Sequence, residues 1–270
     1  MSKKKKKTVY SKKKICILIV IVLILSTCIY PLFRSSTIFK IEKRLHQIKL
    51  EQKKDDKDFK TVGWIRVQGT KIDVPIIAIV NGDEFPVTRE KYAWTVNNDD
   101  KIYNSMMIYG HNVYNLSAKP KISSKNFKRF EEVLAFIYYD FAKENQYIQL
   151  SMNNKEYIYK IFSVAIVNSY NVSHLPVGEY SPDELKYEIK VLKENSLFDY
   201  NMKVTEKDKV LSLVTCTRIY GMDSNDNIVV TAKRIDEKSV KKTTKIKKTK
   251  KYNELVKVLK GESADEEVDA

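Results

Sequence analysis

The sequence has few of the residues on which cofactor and metal chemistry usually depends. Its 270 residues include seven glycines, three cysteines and three histidines. The glycines do not form a phosphate-binding loop, and the cysteines and histidines do not have the spacing of a metal site. These absences exclude the familiar nucleotide-binding motifs and argue against a zinc site.

Cysteine is too scarce to form a disulfide framework. Cys16 and Cys28 lie inside an apolar segment, which leaves Cys216 as the single cysteine of the remaining chain. A disulfide within that part is therefore excluded. On count alone, Cys216 is either a small buried apolar residue or a reactive thiol.

Basic residues are abundant, but they are concentrated at the two ends of the chain. The formal net charge is +15, and the lysines cluster in residues 3–14 and 238–251. An enzyme that acts on nucleic acid usually carries its basic residues on the folded face that holds the phosphates. We therefore predict no nucleic-acid partner.

One uncharged apolar run is long enough to cross a membrane. Residues 15–33 contain no charged side chain, and a helix of about 20 residues spans a bilayer. Bulky residues follow the small ones near its end, so a cleavage site is poorly formed and we predict an uncleaved anchor. Lysines precede the run, whereas only Arg34 follows it before Lys40. The positive-inside rule then predicts a cytoplasmic N-terminus, with the rest of the chain outside the cell.

These features predict five parts of the chain. They are a basic cytoplasmic N-terminus (residues 1–14), a transmembrane anchor (15–33), a stalk or N-terminal helix (34–61), a main domain (62–236) and a charged, disordered tail (237–270). The third part is either a solvated spacer or a helix of the domain. The tail either keeps the protein soluble or adheres to anionic wall polymer or lipid head groups.

The main domain has the alternating apolar, β-branched and aromatic residues that are typical of strands. Strands are predicted at residues 63–67, 71–79, 105–109, 147–152, 157–167, 210–215 and 228–235. Asn153, Asn154 and Lys155 predict the short loop of a hairpin. Helices are predicted at residues 127–136 and 181–197, the second from its capping serine, proline and acidic first turn. Many short strands with few helices predict a mainly β fold, either a closed barrel or a sandwich.

Two residues at strand ends could do chemistry together. Cys216 follows a strand, and a thiol becomes a nucleophile when a neighbouring imidazole or cation favours its thiolate form. Among the histidines, His46 lies in the stalk and His174 in a loop, whereas His111 directly follows the strand 105–109. Gly110 is expected to allow an unusual backbone angle that aims His111 over a cleft. The alternative for His111 is a hydrogen-bonded histidine with no catalytic role.

At these residues the chain resembles a known family. Tyr109-Gly110-His111 and Leu213-Val214-Thr215-Cys216-Thr217 are similar to the two active-site signatures of the sortases, in the same order. The first predicted strands and the helix 181–197 also resemble that family, the helix being typical of class B members. The resemblance covers about residues 62–235.

The resemblance implies an eight-stranded β-barrel that recognises a sorting motif in secreted proteins. Cys216 would attack the scissile carbonyl to give a thioacyl enzyme, and His111 would serve as acid and then as base. The acceptor would be an amine of a peptidoglycan precursor or of a pilin subunit. No metal or organic cofactor is implied.

One position departs from the sortase pattern. Sortases carry an arginine just before the last strand, where it stabilises the oxyanion, but this sequence has Asn227 there. Arg218 lies two residues after Cys216, so a continuing strand would place both side chains on one face. We therefore consider Arg218 a candidate for the missing cation. Arg234 is interpreted as a surface residue.

Two other functions remain possible at this point. The L,D-transpeptidases have an arginine two residues after their cysteine, as here, but also a serine and a glycine directly before it, where this chain has Val214 and Thr215. A sortase fold that binds a sorting motif or scaffolds a surface assembly without turnover is the second alternative, because of Asn227.

Overall fold

A computed structural model of the chain describes residues 39–80, 93–95, 99–112, 129–168, 178–221, 223–240 and 243–261. Residues 40–270 form one compact unit, and Phe39 is the one described residue of a second unit, residues 1–39. The predicted anchor at residues 15–33 lies outside the described part of the chain. No helix within that described part is both long and apolar enough to cross a membrane.

The described residues form ten strands and a few helices. The strands are β1 Phe59–Val67, β2 Asp73–Ile79, β3 Ala93–Thr95, β4 Ser105–Tyr109, β5 Tyr147–Met152, β6 Lys155–Asn168, β7 Phe198–Asp199, β8 Val210–Thr217, β9 Asp226–Ile235 and β10 Lys247–Lys248. The α-helices are α1 Leu45–Gln52, α2 Tyr139–Glu144, α3 Pro182–Glu194 and α4 Lys250–Lys260, and 3-10 helices span Arg129–Ile137 and Glu237–Ser239. Eight strands close into a barrel in the order β1-β2-β3-β4-β8-β9-β6-β5. The prediction of a closed eight-stranded barrel is confirmed.

The hairpin of β5 and β6 forms as predicted. Asn153 and Asn154 connect the two strands with φ angles of 51° and 56°. Asparagine tolerates this left-handed region better than most residues, and two such residues match the twist of a tight hairpin.

The helix α3 begins with the predicted capping box. Ser181 Oγ accepts a hydrogen bond from the backbone of Glu184, and the Glu184 carboxylate accepts one from the backbone of Ser181 at 2.9 Å. Pro182 occupies the first turn, where its missing N–H leaves no helical bond unmade. The local sequence therefore fixes where this helix starts.

The apolar side of α3 covers one face of the barrel wall. Leu185, Ile189 and Leu192 pack with Met107 of β4, Val210 and Val214 of β8 and Val229 of β9. The alternate residues of these strands, such as Leu213 and Val230, belong to the barrel core instead. We call the face under α3 the outer face, and every second residue of β4, β8 and β9 lies on it.

The predicted amphipathic helix at residues 127–136 takes a different form. The described segment Arg129–Ile137 is a 3-10 helix, and every residue from Phe130 to Ile137 is buried. Its apolar residues belong to the same core as the barrel interior. The sequence pattern suggested one buried side, but here the segment is enclosed on all sides, including the carboxyl-bearing Glu131 and Glu132.

The predicted disordered tail, residues 237–270, is folded over residues 243–261. β10 pairs with β7, and the ring of Tyr252 in α4 lies 5.1 Å from that of Phe198. Leu255 is fully buried in the main core. The reason for the difference is that the amphipathic residues 252–259 meet an apolar surface around Phe198, which the local sequence of the tail does not reveal.

Residues 40–61 of the predicted stalk belong to the domain. Arg44, just before α1, donates two hydrogen bonds to the carboxylate of Asp73, at 3.0 and 2.7 Å. Trp64 Nε1 donates a third at 2.6 Å. Burial alone would raise the pKa of Asp73, but these hydrogen bonds lower it below the ordinary value. Residues 40–52 are therefore tied to β1 and β2.

Candidate active site

Cys216 lies at the end of the barrel where β8 leaves the sheet. Its thiol is free and exposed, although its neighbours Thr215 and Thr217 are buried. Since Val214 lies on the outer face, alternation places Cys216 on that face too, just beyond the part that α3 covers. The nucleophile candidate is thus open to solvent at the edge of an apolar surface.

His111 comes level with Cys216 through the register of two parallel strands. Tyr109 of β4 lies beside Val214 of β8, and the backbone N–H of Gly110 donates to the Val214 carbonyl at 3.2 Å. β4 ends at Tyr109, and the chain continues through Gly110 to His111 beside the end of β8. The structure therefore places the segment of His111 next to the segment of Cys216.

Two side chains bind the segment of His111 to the segment of Cys216. Asn112 Nδ2 donates to the backbone carbonyl of Cys216 at 2.8 Å, and Thr215 Oγ1 donates to the backbone carbonyl of Gly110 at 2.6 Å. Asn112 is buried. Sequence reasoning missed it, and the only signal was its position directly after the candidate histidine.

Gly110 is required for packing and not for an unusual backbone angle. The positive-φ glycines of the described residues do not include it. A Cβ placed on Gly110 would lie 2.1 Å from a ring carbon of Phe130. The prediction about its backbone is wrong, and the physical reason for glycine is the close approach of this aromatic ring from the barrel core.

An aromatic pair supports the imidazole. The ring of Trp94 in β3 lies 4.9 Å from that of His111 and 5.7 Å from that of Tyr109, on which it stacks. Burial raises the pKa of the Tyr109 phenol, so this side chain stays neutral. Trp94 was not singled out in the sequence because β3 has only three residues and no visible alternation.

Asn227 lies directly opposite Cys216 in the antiparallel pair of β8 and β9. Its side chain is 8% exposed, and its other strand neighbour is Val167 of β6. Because Val229 is on the outer face, Asn227 is on it as well. His111, on the segment that follows β4, therefore forms one row with Cys216 of β8 and Asn227 of β9, across three adjacent chain segments.

The remaining predicted candidates lie in other places. Arg218 follows the last residue of β8, and its Nη1 donates to the Thr217 carbonyl at 3.2 Å. Arg234 lies near the far end of β9, with its guanidinium 4.7 Å from the ring of Tyr157. His46 is exposed on α1, and His174 lies outside the described residues. Within the described ranges, no three His, Cys, Asp or Glu residues group as metal ligands would.

Comparisons with known proteins agree on one family. A sequence model described as a Sortase domain matches residues 65–235. Among solved structures, Clostridium perfringens sortase B has a TM-score of 0.55 and 24% identity over 70% of this chain and 100% of that one. Sortase B from the type II pilus of Streptococcus pneumoniae has a TM-score of 0.54 and 23% identity, and the match covers 73% of this chain and 99% of that one. A Staphylococcus aureus sortase B–substrate complex has a TM-score of 0.53 and 21% identity, and the match covers 70% of this chain and 84% of that one. No curated protein matches the chain.

Proposed function

The chain belongs to the sortase family, and from that premise we propose that it is an extracytoplasmic cysteine transpeptidase with Cys216 as nucleophile and His111 as proton carrier. Its fold is similar to that of sortase B structures. Membership in this family removes the L,D-transpeptidase alternative. The proposed substrates are secreted proteins with a C-terminal sorting motif.

The row of His111, Cys216 and Asn227 at one end of the barrel is the observation that supports this function best. An exposed thiol on a segment bonded to that of an imidazole provides the two groups that acyl transfer needs, a nucleophile and a proton carrier. Farther along the barrel, α3 covers the outer face on which they lie, so the row stands at the uncovered end of that face.

In the first half of the reaction, the sulfur of Cys216 forms a bond to the scissile carbonyl carbon. The carbonyl π electrons move to oxygen, and the C–N bond breaks when the tetrahedral intermediate collapses. The imidazolium of His111 gives its proton to the leaving amine. The products are a thioacyl enzyme and the C-terminal fragment of the substrate, which carries the new N-terminal amine.

In the second half, an acceptor amine replaces the sulfur. Neutral His111 takes the proton from the attacking amine, the new amide bond forms, and Cys216 leaves as thiolate. We propose that the acceptor is an amine of a peptidoglycan precursor or of a pilin subunit. Binding of a substrate is recorded for the Staphylococcus aureus relative, which supports a peptide site on this fold.

We also propose that residues 15–33 anchor the protein in the cell membrane with the catalytic domain outside. The uncharged run and the lysines that precede it support this orientation. In intact cells, a membrane-impermeant maleimide is expected to label Cys216, and a Cys216→Ala variant is expected to lose that label. Labelling only after lysis would contradict the orientation.

The transpeptidase function is tested with the purified full chain, a panel of sorting-type peptides and hydroxylamine as acceptor. We expect a peptide hydroxamate from the wild type and none from Cys216→Ala or His111→Ala, because each variant lacks one half of the thiol–imidazole pair. His46→Ala is the matched control, since His46 is exposed on α1. A hydroxamate that persists without Cys216 would reject the mechanism.

Asn227 supports one alternative, a sortase fold that binds a sorting motif or scaffolds a surface assembly without turnover. The side chain opposite Cys216 lacks the positive charge that sortases have near their thiol. In that case peptides from the same panel would bind with measurable affinity but remain uncleaved, and Cys216 would react with alkylating reagents no faster than a free thiol.

A further inference from the structure

Acyl transfer by Cys216 creates negative charge on a carbonyl oxygen, and the site must supply a donor to it. Donors fixed before the reaction stabilise such an oxyanion far more than solvent does. The requirement is geometric, since the donor must lie beside the sulfur and on the same face. Asn112 and Thr215 already donate to backbone carbonyls, and His111 carries the proton. Arg218 and Asn227 are therefore the candidate donors to the oxyanion.

The register of β8 and β9 favours Asn227. Residues directly opposite in an antiparallel pair share one face, with Cβ atoms about 4.5–5.5 Å apart. Cys216 and Asn227 are such a pair. A carbonyl carbon bonded to the Cys216 sulfur would occupy the gap between the two side chains, within hydrogen-bond reach of an amide N–H.

Burial makes the Asn227 amide a better donor than an exposed group would be. Asn227 is 8% exposed, on a strand held by β8 on one side and β6 on the other. A rigid strand residue loses little freedom when it donates, and a low local dielectric strengthens the bond. Because the amide has two N–H groups, one can serve a structural partner while the other faces the substrate.

Arg218 is less well placed. It lies beyond Thr217, the last residue of β8, so strand alternation does not extend to it. Its guanidinium donates to the carbonyl of Thr217 in its own chain segment.

We propose that Asn227 is a catalytic residue that stabilises the oxyanion with a neutral amide. This inference rests on the proposed function of Cys216 as an acyl-transfer nucleophile. Unlike a guanidinium, the amide adds no charge at the thiol, so it acts on the oxyanion and leaves the reactivity of the sulfur to His111.

The test compares two reactions of Cys216 in the full chain, neither of which needs a sorting motif. With p-nitrophenyl acetate, the sulfur attacks the ester carbonyl through an oxyanion, p-nitrophenolate leaves and a thioacetate forms. With iodoacetamide, the sulfur displaces iodide at a saturated carbon and no oxyanion forms. The ratio of the two rate constants isolates oxyanion stabilisation.

We expect Asn227→Ala and Asn227→Asp to lower the acylation rate at least about 10-fold, because each removes the N–H donor. Alkylation by iodoacetamide is expected to stay within about twofold in Asn227→Ala, since the thiolate itself is unchanged. Asn168→Ala is the matched control, an exposed asparagine at the same end of β6. Arg218→Gln is expected to keep the wild-type ratio.

An equal fall of both rates in Asn227→Ala would overturn the inference and give Asn227 a structural role only. An unchanged ratio in Asn227→Ala with a reduced ratio in Arg218→Gln would assign the oxyanion to Arg218. A wild-type enzyme that is acylated but transfers no peptide would reject the proposed function while the Asn227 comparison still stands. A wild type that is not acylated would reject both.

Discussion

At the scale of single residues, the position of the nucleophile depends on an amide. Asn112 Nδ2 holds the carbonyl of Cys216, a residue 104 positions away, while Thr215 holds the carbonyl of Gly110. The two bonds run in opposite directions between the segments of β4 and β8. The pairing of β4 with β8 ends at Tyr109 and does not by itself fix the position of His111. These two hydrogen bonds hold the segment of His111 beside the thiol.

Replacement of Asn112 is expected to weaken the thiol–imidazole pair. In Asn112→Ala, the Cys216 carbonyl loses its donor and the His111 segment loses its attachment, so kcat for acyl transfer should fall about 10-fold. The rate of alkylation of Cys216 by iodoacetamide at about pH 7 should fall as well, because the imidazole is no longer held near the thiol. Iodoacetamide kinetics at that pH measure this change.

A matched amide separates this positioning role from a general loss of stability. Asn195 Nδ2 donates to the carbonyl of Val191 at 2.9 Å, at the end of α3. Both variants should lower the free energy of unfolding by about 1 kcal/mol. Asn195→Ala should leave the alkylation rate unchanged, and an unchanged rate in Asn112→Ala would refute the role of Asn112.

At the scale of elements, α3 covers the strands that carry the site. One residue on the buried side of this helix has a carboxyl group. Glu188 is 5% exposed among the apolar residues of the helix, and its Oε2 has no hydrogen-bond partner among the described residues. Burial raises its pKa to about 8. The helix therefore packs best when this carboxyl group is protonated.

Glu188 should make stability depend on pH over a defined range. Its pKa is about 8 in the folded protein, compared with the ordinary value of 4.5 that applies in the unfolded chain. The folded state thus binds the proton more tightly, and its contribution is complete below pH 4.5 and is lost as pH rises to about 8. The loss between pH 5 and pH 8.5 amounts to roughly 4 kcal/mol, at about 1.4 kcal/mol for each unit of pKa difference. Urea denaturation of the full chain at pH 5 and pH 8.5 measures it.

Glu188→Gln is expected to flatten this dependence by removing the titrating group. Glu194→Gln is the control, because Glu194 lies on the same helix with a side chain that is 61% exposed. Its pH dependence should match that of the wild type. If Glu188→Gln also loses stability between pH 5 and 8.5 by the wild-type amount, the source lies elsewhere.

At the scale of the whole molecule, the sequence predicted what depends on local patterns. The turn at Asn153 and Asn154, the start of α3 and the strand ends at His111 and Cys216 all follow from short-range rules. The bond of Asn112 to Cys216 and the ring of Phe130 under Gly110 join distant segments, so no local pattern contains them. The same limit applies to the tail, whose helix α4 needs a partner surface.

That tail extends the sortase barrel beyond the residues that match the family. α4 packs on Phe198 through Tyr252, and Leu255 enters the core that also contains the barrel interior. The pKa of Tyr220, in the loop after β8, is raised by burial and by the nearby carboxylates of Asp226 and Glu254. Glu254 is part of α4, so the added helix lies near the loop that follows the nucleophile.

Truncation of Leu255 tests whether the added segment is an integral part of the fold. Leu255→Ala should lower the free energy of unfolding by about 2–4 kcal/mol, because it leaves a cavity in the shared core. The loss should appear in one cooperative urea transition monitored by tryptophan fluorescence, since Trp64 and Trp94 both lie in the barrel. Leu50→Ala, at a leucine 44% exposed on α1, should change stability by less than about 0.5 kcal/mol. A contrary outcome is that Leu255→Ala makes α4 sensitive to proteolysis while the barrel still unfolds at the wild-type urea midpoint. The tail would then be an independent appendage, and the shared core would not extend to it.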